Sequence, residues 1–96
     1  MSEPESIGQR IKRERSELGL TQRELAERIG VGVPHVSKIE ADRENPSDDL
    51  VARLAEVFGV DADELGIVAR RLPEDVLDRL ASSPTEALEF LRKWER

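Results

Sequence analysis

Few residues in this chain are equipped for covalent chemistry. His35 is the single histidine and there is no cysteine, so neither a thiolate site nor a multi-histidine metal site can be assembled. Carboxylates are abundant, but no pair has the spacing or apolar setting that acid–base work needs. No glycine loop is placed to cradle phosphate, and no nucleophile stands beside a base. No enzyme, metal site or cofactor is therefore expected. What remains is recognition by hydrogen bonds and charge. Lys38 and Arg43 are the cations whose surroundings decide whether they are solvated surface charge or a binding surface.

Those surroundings are the twenty residues Thr-Gln-Arg-Glu-Leu-Ala-Glu-Arg-Ile-Gly-Val-Gly-Val-Pro-His-Val-Ser-Lys-Ile-Glu over 21–40. Two helices that cross at a sharp turn need a small residue midway along the first, and Ala26 supplies it. Four residues later the turn suits a left-handed glycine, and Gly30 is there. Leu25, Ile29, Val31, Val36 and Ile39 then stand at the spacings that lock two such helices together. Each feature alone is weak; jointly they predict a helix-turn-helix.

The segment resembles the lambda-repressor/Cro-like helix-turn-helix family, often called the XRE family, over about residues 7–65. Gly19-Leu-Thr-Gln-Arg-Glu-Leu-Ala, Val36-Ser-Lys-Ile-Glu and Asn45-Pro-Ser carry the likeness. The resemblance implies a transcriptional regulator, commonly a homodimer on a palindromic operator of double-stranded DNA, with the third helix as the recognition helix. It implies that Val33, Pro34, His35 and Lys38 face bases: Val33 and Pro34 through apolar contact, Lys38 as a donor to guanine O6 or N7. Gln22 matches the family glutamine that touches phosphate from a helix N-terminus. Thr21, Arg23, Ser37, Arg43 and Asn45 are further candidates for backbone contacts. Arg15 and Glu40 match a family pair that bridges the first helix to the end of the third, a structural role shared with Ala26, Gly30 and Val36. The family usually has glycine where this chain has Asp42, which enters the left-handed region less readily.

The elements that must hold this segment are legible from their ends. Ser6 with Gln9, Thr21 with Glu24, Asp61 with Glu64 and Ser83 with Glu86 have capping-box spacing. Pro73 and Pro84 suit first helical residues, and Gly19, Gly30 and Gly59 suit helix stops. Seven helices are predicted, over about 6–18, 21–29, 33–41, 47–58, 62–71, 73–81 and 84–95. The fold class is all-α: a five-helix lambda-repressor-like DNA-binding domain over 6–71, after a flexible tail over 1–5, with a C-terminal helical hairpin over 72–96. Leu77, Leu80, Leu88, Leu91 and Trp94 form apolar stripes on that hairpin, read as a dimerisation surface. The alternative is that both helices fold back on the first, fourth and fifth.

Composition sets the remaining bounds. The net charge of -6 is unevenly spread. Residues 10–43 carry eight Lys or Arg against six Asp or Glu, whereas residues 44–96 carry seven against thirteen. Acidity thus lies largely outside the segment assigned to DNA. The polar, acidic start is unlike a signal peptide, and no run approaches the ~18 apolar residues of a membrane span, so a cytoplasmic protein is expected. The function read from the sequence is a sequence-specific regulator, a repressor, binding an inverted repeat as a homodimer. The alternative is an antitoxin-like or anti-repressor adaptor whose acidic C-terminal half binds another protein, a toxin or a regulatory protein.

Overall fold

The structure, a computed structural model, describes residues 3–94. Among them it is all-α, with seven helices: α1 (Ile7–Glu17), α2 (Gln22–Ile29), α3 (Val33–Glu40), α4 (Asp48–Phe58), α5 (Ala62–Val68), α6 (Glu74–Ser82) and α7 (Pro84–Lys93). Residues 1 and 2 of the expected tail and residue 95 of the last expected helix lie outside the described residues.

Two of the expected capping boxes form in full. The Ser6 hydroxyl accepts from Gln9 N–H while the Gln9 side chain accepts from Ser6 N–H, and Thr21 and Glu24 do the same for α2. Asp61 accepts from the N–H groups of both Asp63 and Glu64 without a return bond. Ser83 makes no side-chain cap. It is the single residue between α6 and α7, and its backbone (φ -143°, ψ 66°) is set by the abrupt junction into Pro84 rather than by capping. Ser47 caps α4 by accepting from Leu50 N–H.

Each of α1 to α5 closes on a left-handed residue: Gly19, Gly30, Asp42, Gly59 and Arg70. After α3, Arg43 N–H bonds to Lys38 C=O and Asp42 N–H to Ile39 C=O. After α5, Arg71 N–H bonds to Gly66 C=O and Arg70 N–H to Ile67 C=O. These paired bonds satisfy the last carbonyls of each helix. They also end α5 at Val68, three residues before the expected limit of 71. A non-glycine residue in this conformation costs on the order of 1 kcal/mol.

α1 to α5 enclose one core. α4 contributes Leu50, Val51, Leu54 and Ala55, which meet Ile7 and Ile11 of α1, Leu25, Ala26 and Ile29 of α2, Val36 and Ile39 of α3 and Leu65 of α5. Each fully buried large aliphatic side chain contributes about 1.5–3 kcal/mol. Leu18, the residue that caps the end of α1, is exposed. It sits at the helix end, and the left-handed turn at Gly19 swings Leu20 into the core instead. α6 and α7 pack chiefly on each other. Their stripe residues Leu77, Leu88, Leu91 and Trp94 stay exposed and Leu80 half-buried.

At Gly8, α1 lies against the end of α3 with no room for a side chain. A Cβ on Gly8 would lie 2.6 Å from both Asp42 Oδ1 and the Ile39 carbonyl oxygen, and 2.7 Å from that of Glu40. Gly8→Ala should therefore push α1 off α3 and destabilise the fold by about 2–3 kcal/mol, measured by denaturant unfolding; a change within error would show that the two helices are not in this contact. The Glu24 carboxyl is held below the ordinary glutamate value of 4.5, chiefly by the Thr21 backbone N–H and then by the Thr21 side chain. Its folded pKa is depressed, so its stabilisation is complete above about pH 4.5 and is lost as pH falls through the folded value. Glu24→Gln keeps the cap but removes the titration. It should flatten the acid limb of a melting-temperature profile, and an unchanged limb would contradict the assignment.

Candidate nucleic-acid interface

The turn between α2 and α3 is built from three residues. Ala26, buried in α2, offers only a methyl group to α3. Its carbonyl accepts from Val31 N–H at 3.0 Å across Gly30, whose φ of 74° and ψ of 35° suit glycine best. α3 then starts at Val33 with Gly32 as its cap residue and Pro34 in its first turn, and no side chain caps it. Val36 and Ile39 are buried beneath α3 and so fix which of its faces looks outward.

A single carboxylate ties α3 to its neighbours. Glu40 accepts from Arg15 Nε at 2.7 Å and Nη2 at 3.1 Å, and from Gln22 Nε2 at 3.0 Å. Arg15 also donates to the Leu20 carbonyl at 2.8 Å. The Glu40 side chain is only 4% exposed. The hydrogen bond to Glu40, outweighing burial, holds Arg15 above the ordinary arginine pKa. This arrangement joins α1, α2 and α3. It also means that the Gln22 amide nitrogen, expected to reach phosphate, is committed within the protein.

On the outer face Pro34, Ser37 and Lys38 are exposed, and Thr21, Arg23, Arg43 and Asn45 are exposed around them. Val33, expected among the base-facing residues, is half-buried and packs against the core. His35 is half-buried with its Nε2 2.8 Å from Glu44 Oε2. Two residues here were not among the expected site residues. Glu44 holds His35 from the loop after α3. Asp42 accepts from Ser6 Oγ at 2.7 Å and from Gly8 N–H at 2.9 Å, which places a carboxylate at the positive N-terminal end of α1. The left-handed position of Asp42 was the only hint of that role.

The cations divide into two sets. Arg10 pairs with Glu14 and Glu64, Arg13 with Glu5 and Glu17, and Arg15 with Glu40. The basic run of α1 is thus largely neutralised. Arg23, Lys38 and Arg43 have no carboxylate within ion-pair distance among the described residues. Lys12 on α1 and Arg28 on α2 also have no such partner, so three of the five unpaired cations among residues 10–43 lie around the exposed face of α3. Among the described residues no cluster of His, Asp or Glu could hold a metal ion, and no helix is long and apolar enough to cross a membrane.

Residues 10–65, more than half of the chain, match the family model for the helix-turn-helix. The chain belongs to the helix-turn-helix family. Its type is the lambda-repressor/Cro-like or XRE regulator, a DNA-binding class rather than an enzyme. This helix-turn-helix protein is 29% identical over 86 residues to the transcriptional regulator ImmR of Bacillus subtilis, covering 86% of this chain and 68% of ImmR. It is 36% identical over 75 residues to the propionyl-CoA carboxylase regulator of Cereibacter sphaeroides, covering 77% of this chain but 16% of that protein. Among solved structures, the N-terminal DNA-binding domain of SinR from Bacillus subtilis superimposes with a TM-score of 0.57 at 40% identity, covering 62% of this chain and 87% of that one.

The three-way bond at Glu40 can be tested directly. Glu40→Ala leaves the mostly buried Arg15 without its carboxylate and should cost about 3 kcal/mol in denaturant unfolding. Combining it with Arg15→Met should cost clearly less than the sum of the two single changes. Strict additivity would show that the two residues are not coupled.

Proposed function

We infer that this chain is a sequence-specific transcriptional repressor that binds an inverted-repeat operator as a homodimer, with α3 in the major groove. The observation that carries this reading is the separation of charge: Arg23, Lys38 and Arg43 are unpaired around the exposed face of α3 while the arginines of α1 are paired. Cations left without intramolecular partners keep their full attraction for phosphate. Lys38 reads a guanine edge, with Pro34 against a neighbouring base. Thr21, Arg23, Ser37, Arg43 and Asn45 contact the backbone and set register. Gln22 and His35 join the interface by turning from Glu40 and Glu44, and Val33 acts by shaping the start of α3. The exposed apolar residues of α6 and α7 support a two-fold dimer, which sets its recognition helices about 34 Å apart.

Selection of bound sites from random duplex DNA tests the reading. It should return an inverted repeat with half-sites spaced by about one helical turn; recovery without sequence enrichment would overturn it. On the selected site, Lys38→Ala should cost about 1–3 kcal/mol and relax preference at one position per half-site. Arg43→Ala should weaken all sequences about equally. A uniform loss for Lys38→Ala would make it a phosphate contact instead.

A further inference from the structure

Beside the core, α4, α5 and the start of α6 enclose an open groove of about 530 Å³. Its apolar lining includes Val51 and Ala52 of α4, Ala62 of α5, and Leu72 and Leu77 at its far end. Asp48, Asp63 and Glu74 stand around it. Arg71, also in the lining, offsets one of them through its bond to Asp48 at 3.0 Å, whereas Asp63 and Glu74 have no ion-pair partner among the described residues. The groove is acidic-rimmed and apolar within. Gly66 lines it too, inside α5, where glycine weakens a helix. A Cβ there would meet nothing closer than the Arg71 carbonyl oxygen at 3.6 Å, and the backbone is not left-handed. The chain's own packing does not demand glycine at 66.

The chain carries a matching element. The C-terminal half of α7 exposes Leu88 and Leu91 and ends in Arg92 and Lys93, which have no carboxylate partner among the described residues. It is apolar with a basic end, the complement of the groove. Among the described residues α7 packs chiefly on α6. The link of one residue at Ser83 leaves the pair projecting, so that the protein measures 45 × 29 × 24 Å. Its radius of gyration of 15.3 Å exceeds the ~13 Å of a compact chain this long.

We propose that the groove between α4, α5 and the start of α6 receives the C-terminal half of α7 from a second copy of the chain. The exchange is reciprocal, so each copy is both donor and acceptor and the contact closes on a two-fold axis. This deepens the homodimer reading given above and rests on it: the interface becomes α7 in groove rather than α6–α7 against its own copy. Leu88 and Leu91 supply the buried anchors, and Arg92 and Lys93 meet Asp63 and Glu74 at the rim, where charge sets orientation more than strength.

The absence of native cysteine makes crosslinking decisive. Full-length Ala52→Cys and Leu91→Cys proteins are mixed in equal amounts, oxidised with oxidised glutathione, and resolved by mass. In parallel, light scattering follows the unmodified chain through dilution. The expected result is a dimer in scattering and, in the mixture alone, a mixed disulfide at twice the chain mass, since bridging needs Cα atoms within about 7 Å. A dimer in which Leu91→Cys crosslinks only to itself overturns the groove and leaves the homodimer standing. A chain that stays monomeric at high micromolar concentration overturns both. Closure of an intramolecular disulfide in the Ala52→Cys/Leu91→Cys double variant, without a mixed dimer, would show that α7 docks on its own groove and overturns the exchange.

Discussion

A carboxylate with 4% of its side chain exposed cannot sit at the end of a helix without partners, and Glu40 has three donor atoms directed at it. Two come from Arg15 on α1 and one from Gln22 at the start of α2. Removing the charge from water is costly, and only good geometry from several donors offsets that cost. The arrangement therefore admits one relative placement of α1, α2 and α3. Apolar packing between Ala26, Val36 and Ile39 sets how close α3 lies. Glu40 sets how it is rotated, and so which residues of α3 face outward. The direction of Lys38 follows from a contact made two residues further along the chain.

Much of this was legible in the residues because the signals are local. Ser6 with Gln9 and Thr21 with Glu24 each announce a helix start within four residues, and Gly30 announces the turn because few other residues adopt its φ so cheaply. What escaped was non-local or depended on neighbours. Arg70 takes a left-handed conformation with nothing in its side chain to advertise it, and so α5 ends before the expected limit of 71. Ser83 has the spacing of a cap, yet a junction of one residue leaves its backbone outside capping geometry. Asp42 stands where the resembling family usually has glycine, and its side chain gives no local sign of a partner. Its carboxylate instead serves α1, which lies 34 positions away in sequence.

The acidic surplus takes on a different meaning in three dimensions. Counting residues places the densest basic run on α1, but folding surrounds that run with Glu5, Glu14, Glu17, Glu40 and Glu64. The local excess that survives is small, and Arg23, Lys38 and Arg43 put most of its unpaired cations around α3. A protein charged in this way has little long-range pull on arbitrary DNA. Short-range contacts must then supply most of its selectivity. That is a sensible division for a regulator, since attraction to bulk DNA competes with the operator.

The bond from Gly8 N–H to Asp42 Oδ1 makes the two ends of this assembly open together. The amide of Gly8 lies in the first turn of a helix, where backbone protons ordinarily exchange with solvent as the end frays. Here its acceptor belongs to the residue that closes α3. Exchange at Gly8 then requires the end of α3 to detach, and its protection follows the cooperative opening of α1 with α3. One amide near the start of the chain thus reports whether α3 is seated.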